Sequence, residues 1–175
     1  MNQDARLDNS LIGAAGVHYV AYKLTRRGML ALPTVRNTPG TDVIVTSLNG
    51  KHHANIQVKT TQSPTARFWI ICSAKRFAEL PFGEHDFYVF LRPRRADDPA
   101  GELVDEFEGF MLTADEAKRE MAAHLNYWTM QGKEPKFSLC IYVDKGRREK
   151  EWGLPEGSKE KWRERWQTWK LDEKP

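Results

Sequence analysis

The sequence has little cysteine: two residues in 175, Cys72 and Cys140, each set in an apolar run. That is too few for a disulfide framework, and isolated cysteines in apolar surroundings read as buried free thiols of a reducing cytoplasm. No apolar run approaches the roughly 18 residues of a membrane span. The opening stretch MNQDARLDNS lacks the basic and apolar regions of a signal peptide. No membrane association and a cytoplasmic location are therefore expected. Zinc-ligand spacing is missing, since neither cysteine has a C-x-x-C partner. There is no glycine-rich phosphate loop of Walker or Rossmann form, and no serine in a nucleophile-elbow context. His85-Asp86 is only a dipeptide.

The most telling shortage is of acid. Between Asn9 and Ala78 the only acidic residue is Asp42, whereas Lys23, Arg26, Arg27, Arg36, Lys51, Lys59, Arg67, Lys75 and Arg76 fall in the same stretch. The net charge of +3 hides this asymmetry. A half-chain so basic makes a positive field suited to a polyanion, and nucleic acid is the expected partner. The alternative is surface cations offset by acids folded in from the other half.

The chain shows no internal repeat or low-complexity segment. Residues 8–27 predict a helix, with Asp8, Asn9 or Ser10 as cap and Leu11, Ile12, Ala15, Tyr19, Val20 and Leu24 at helical spacing. Gly28 would end it after the basic turn of Arg26 and Arg27. Gly13 and Gly16 each cost about 1 kcal/mol against alanine in a helix and suggest close approach of a backbone or ligand. A strand interrupted or edged by Pro33 spans 29–36, and Asn37–Gly40 is a turn. Val43–Val45 and 54–60 are strands joined by Asn49-Gly50, a two-residue hairpin signal. Further strands are expected at 68–72, 86–92, 107–112 and 137–143, with a short helix or turn at 74–80. A helix capped by Thr113 with Glu116 three residues on would run to about Leu125. Trp162, Trp166 and Trp169 lie at i, i+4 and i+7, one helical stripe for docking on the core. The fold expected is mixed α/β (α+β) around one sheet, with residues 1–143 as the domain and 144–175 as a charged, tryptophan-rich helical tail packed on it.

In the strand 54–60 alternate side chains share a face. Ile56 and Val58 point inward, and Gln57, Lys59 and Thr61 point the other way. The hairpin returns the chain beside Asp42. Phosphodiester hydrolysis needs an activated water, neutralised phosphate charge and a protonated leaving oxygen, and a divalent metal supplies the first two. Mg²⁺ prefers oxygen ligands. Asp42 offers a carboxylate, Gln57 an amide oxygen and Val58 a backbone carbonyl. Lys59 would orient the water or stabilise developing negative charge.

Asp42, a hairpin, then Gln57-Val58-Lys59 resembles the Asp…(D/E)-x-K signature of the PD-(D/E)XK nuclease-like superfamily. The glutamine variant looks like that of Mrr-type restriction endonucleases, and QVKTT is similar to small members of the superfamily. GAAGVHYVAYKLTRRG resembles the family's first helix, Gly-x-x-Gly-Glu-x-x-Val with a terminal glycine. The resemblance covers roughly residues 9 to 92. It implies a restriction-endonuclease-like α-β-β-β-α-β core, a central mixed sheet flanked by helices, and Mg²⁺- or Mn²⁺-dependent cleavage of DNA or RNA, DNA preferred. Two departures stand out: His18 takes the place of a helix glutamate that joins the metal site, and Gln57 that of the second acid. His18 is accordingly an auxiliary catalytic candidate, as metal ligand, general base or phosphate-binding cation. The rival expectation is a nucleic-acid-binding or regulatory domain whose catalysis was lost with those acids.

Arg26, Arg27, Lys51, Lys75 and Arg76 are the expected backbone-binding cations. Arg92, Arg94 and Arg95 form a basic loop, solvated by default and a second phosphate candidate. His52 and His53 read as a solvated turn. A homodimer is expected if both strands of a duplex are cut.

Overall fold

The computed structural model describes residues 8–35, 40–94, 106–133, 138–144 and 159–166. The first helix, α1 (Asn9–Thr25), starts where Asp8 Oδ1 accepts the Ser10 N–H at 2.7 Å. It is followed by Gly28 at φ +81°, a left-handed conformation that glycine adopts without strain. Its buried positions Ile12, Gly16, Val20 and Leu24 recur every four residues, one helical stripe. Five strands follow: β1 (Leu30–Pro33), and, from β-branched and aromatic runs, β2 (Val43–Thr46), β3 (His53–Thr60), β4 (Phe68–Ser73) and, after a 3₁₀ helix at Ala74–Glu79, β5 (Asp86–Pro93). Then come β6 (Phe107–Thr113), α2 (Ala114–Met130), β7 (Ser138–Tyr142) and a single turn, α3 (Lys159–Trp162).

The architecture is mixed α+β. The main sheet has the order β1-β2-β3-β5-β6, antiparallel throughout except for the parallel pair β3–β5. Pro33 ends β1, the edge strand, where a missing N–H is tolerated. One face of the sheet carries Val43, Val45, Ile56, Val58, Val89 and Leu91 and is covered by Val20 and Leu24 of α1. The other face carries Tyr88, Phe90, Phe110 and Leu112, packed against Ala117 and Met121 of α2 and against Trp69, Ile71, Leu139 and Ile141.

Four expectations change. Among the described residues the strands form two sheets, because β4 and β7 pair with each other rather than with the main sheet. A parallel pair needs a crossover. Here β4 and the 3₁₀ helix make it, in place of the full helix that an α-β-β-β-α-β core implies. The β2–β3 connection is a six-residue loop, 47–52, not a two-residue hairpin. Ser47 closes it by donating its N–H to His52 O at 3.0 Å, with a turn inside it at Gly50 (φ +69°). Helix α2 begins at the expected capping box of Thr113 and Glu116 but runs to Met130. The Trp128 Nε1–H donates to His124 Nε2 at 2.7 Å and ties its last turns together.

The tail differs most. Trp162 and Trp166 do not form one helical stripe. The chain leaves α3, Arg163 bridges to Phe110, and Glu164 (φ +50°) donates its N–H to Gly109 O at 2.8 Å while its Oε1 accepts the Gly109 N–H. The segment thus clasps the β6 edge, with Trp162 buried on the α2 side and Trp166 on the α1 side. Trp152 and Trp169 lie outside the described residues. Both cysteines are free thiols, Cys140 buried and Cys72 half-buried. Among the described residues no helix is long and apolar enough to cross a membrane.

Candidate nucleic-acid and metal site

The β2–β3 ladder ends at Val43 opposite Ile56. One step further Asp42 would stand opposite Gln57, but the chain bends there. The Asp42 N–H donates to Ile56 O at 2.7 Å, and its carbonyl accepts the Thr34 N–H at 2.9 Å. The missing rung is replaced by the side chain, as Asp42 Oδ2 accepts the Val58 N–H at 2.7 Å. The carboxylate is therefore fixed in the plane of the sheet, in the notch where β2 stops. Its Oδ1 has no hydrogen-bond partner among the described residues. In a strand the N–H and C=O of one residue point to the same side, so the Val58 carbonyl faces this notch as well.

Gln57 and Lys59 alternate with the buried Ile56 and Val58 and share the face away from α1. The structure thus bonds Asp42 to Val58 and sets Gln57 and Lys59 two residues apart on one face of β3. Among the described residues Gln57 Oε1 is buried without a hydrogen-bond partner, and an orphaned buried oxygen of this kind is costly unless something satisfies it. Gly40 (φ +73°) packs on Pro81, with an ideal Cβ reaching within 2.9 Å of Pro81 Cγ, so the turn preceding Asp42 abuts the loop preceding β5. Lys59 and Arg76 both lie close enough to Cys72 to favour its thiolate; burial outweighs them and pushes the thiol up.

The donor set fits a hard divalent cation. Asp42 Oδ1, Gln57 Oε1 and Val58 O are all oxygens, the chemistry Mg²⁺ and Mn²⁺ take, and one is a buried atom lacking a partner. The set carries one negative charge. Among the described residues no group of three His, Cys, Asp or Glu side chains could hold a metal.

His18 is not part of this group. It is exposed on α1, two residues (about 200°) round the helix from the buried Gly16. The helix itself lies on the opposite sheet face from Gln57 and Lys59. Counted from Gly13 and Gly16, the acid position of Gly-x-x-Gly-Glu falls on Val17, which is partly buried against the α1-side core. Gly16 does mark a close approach. A Cβ there would lie 1.8 Å from Thr60 Oγ1 and 3.2 Å from Leu91 Cδ1, so the contact is with strand side chains. Nothing lies within 4 Å of the corresponding position at Gly13.

Of the expected backbone-binding cations, Lys75 and Arg76 are exposed in the 3₁₀ helix, and Arg76 pairs locally with Glu79 at 3.2 Å. Lys51 is exposed in the 47–52 loop, at the end of β3 away from Lys59. Arg26 is exposed after α1. Arg27 donates to Lys23 O at 2.8 Å and stacks over the Trp166 ring at 5.6 Å. The basic-loop reading of 92–95 fails. Arg92 is buried inside β5, donating to Glu108 Oε2 at 2.7 Å and to Ala66 O at 2.5 Å. Arg94 pairs with Glu106 and Glu164, and Arg95 lies outside the described residues. Sequence reasoning missed Arg92 because its partner Glu108 is 16 positions away, across the β5–β6 ladder.

No protein-family model matches this chain. No curated protein matches it. Among solved structures it is similar to a bacterial homing endonuclease, I-Ssp6803I, at 12% identity over 92% of this chain and 92% of that one, with a TM-score of 0.49. At that level of likeness any assignment of chemistry rests on the residues themselves.

Proposed function

We propose that the protein is a metal-dependent nuclease that hydrolyses phosphodiester bonds, with DNA as its preferred substrate. The observation that carries this reading is the notch at the end of β2. There a carboxylate with one free oxygen is anchored on the Val58 N–H, in the strand that also carries a buried amide oxygen unsatisfied among the described residues, Gln57, and a lysine, Lys59. Asp42, Gln57 and Val58 would hold Mg²⁺ or Mn²⁺. Bound there, the metal would supply a water of lowered pKa and withdraw charge from the phosphate. Lys59 would hold the attacking water or the developing charge on the phosphate. It makes no ion pair among the described residues, so its charge is not already compensated. Lys75 and Arg76 beside it would anchor the backbone, with Arg26, Arg27 and Lys51 as more distant contacts.

The lone carboxylate favours a second reading, a domain on the same fold that binds nucleic acid without cutting it. Incubating the full chain with supercoiled plasmid in Mg²⁺ or Mn²⁺, against a chelator control, separates the two. Metal-dependent nicking supports the nuclease. Salt-sensitive binding with intact plasmid under both metals supports the binder.

A further inference from the structure

We propose a second, chemically distinct metal site at the opposite end of β3, formed by His53 and His85 and selective for a borderline-soft transition-metal dication such as Zn²⁺ or Ni²⁺. The two imidazoles are exposed, with ring centroids 4.8 Å apart and planes inclined at 54°. Neither ring makes a hydrogen bond among the described residues, so their nitrogens are available.

The strand ends that carry them are tied to each other through Asn55, two residues after His53. Asn55 donates its N–H to His85 O at 2.8 Å, which carries the parallel β3–β5 pairing to the residue before β5. Asn55 Nδ2 donates to Asp86 Oδ1 at 3.1 Å, and Asp86 Oδ2 accepts the Gly83 N–H at 2.7 Å. Asp86 thereby fixes both the start of β5 and the turn that delivers His85. The pair is built on strand ends, and only the exposed side chains need to turn to meet a common ion.

The ligand type sets the metal. Neutral imidazole suits zinc, nickel and copper, whereas Mg²⁺ takes oxygen. With no third His, Cys, Asp or Glu grouped with them among the described residues, the two histidines leave coordination positions open to water or an outside donor. This is the arrangement of an accessible site rather than a closed structural one. His53 and Gln57 share one face of β3 four residues apart, about 13 Å along the strand. The nitrogen site and the oxygen site at Asp42 therefore lie on one track without sharing a ligand.

The test is calorimetric titration of the tag-free full chain with NiCl₂, together with its thermal midpoint with and without the ion. One Ni²⁺ per chain is expected. Both His53→Ala and His85→Ala should weaken binding by about tenfold or more and remove the ion-induced rise in midpoint. His52→Ala should leave both readouts unchanged. No binding by the wild type overturns the proposal. So does a loss in only one of the two histidine variants, or an equal loss in His52→Ala.

Discussion

At the residue scale, two glycines of α1, Gly13 and Gly16, three positions apart, behave oppositely. Gly16 sits where any Cβ would overlap Thr60 Oγ1 and crowd Leu91. Gly16→Ala should lower unfolding stability by about 1–3 kcal/mol in urea denaturation. Thr60→Ala, which removes the nearest atom, should recover part of that loss in the double variant. Gly13 has open space around it, so Gly13→Ala should be neutral or stabilising by up to about 1 kcal/mol, from helix propensity alone. If both substitutions destabilise equally, the Gly16–Thr60 contact is misplaced. Asp42 teaches a related lesson. Its place at the mouth of β2, beside β3, was legible from the acid-free stretch and the hairpin pattern. Its bond to the Val58 N–H was not, because it arises from a strand ending one residue early.

At the element scale, the N-terminus of α2 and the tail are one electrostatic unit. Glu116 accepts the Thr113 N–H at 3.0 Å and pairs with Arg165 at 3.0 Å and Lys161 at 3.4 Å. Burial alone would push its carboxyl up, but the Thr113 N–H and Arg165 outweigh burial and hold it below its ordinary value of 4.5. A carboxyl whose folded value is depressed stabilises the fold fully above the unfolded value, and that contribution is lost as pH falls through the folded value. Thermal midpoints should therefore fall faster for wild type than for Glu116→Gln between about pH 5 and pH 3, the two converging in acid. Parallel curves would remove Glu116 from the account.

The tail's other anchor is aromatic. Trp166 is buried, touches Gly109 and lies under the cations of Lys23 and Arg27. Trp166→Ala should cost about 3–5 kcal/mol by denaturant titration, far more than loss of an undocked tail would. The tryptophan spacing suggested a helix because periodicity records which residues are apolar, not which side of an edge they cross. Arg163 and Glu164 between them carry the bridge to β6 that breaks the helix. The same limit hid the second sheet. The run 68–72 reads as a strand in isolation, but its partner β7 lies some seventy residues on and has no local signature.

At the scale of the whole molecule, three cations of the basic half stay uncompensated among the described residues. Lys51, Lys59 and Lys75 make no ion pair among the described residues. The acids Glu108 and Glu116 are engaged by Arg92, Arg163, Lys161 and Arg165, from their own half of the chain. Among the described residues these two acids thus neutralise cations of their own half and leave Lys51, Lys59 and Lys75 uncompensated. DNA affinity should fall steeply with salt, and Lys75→Ala with Arg76→Ala should flatten that slope by about one to two units. The measurement that bears most directly on the central claim is the initial rate of plasmid nicking in Mn²⁺ at saturating protein. It should be compared among wild type, Asp42→Ala and Lys59→Ala, with DNA binding checked in each. The account predicts metal-dependent nicking by wild type and a loss of about a hundredfold or more in both variants with binding retained. Nicking that persists in Asp42→Ala, or binding without nicking in the wild type, would contradict it.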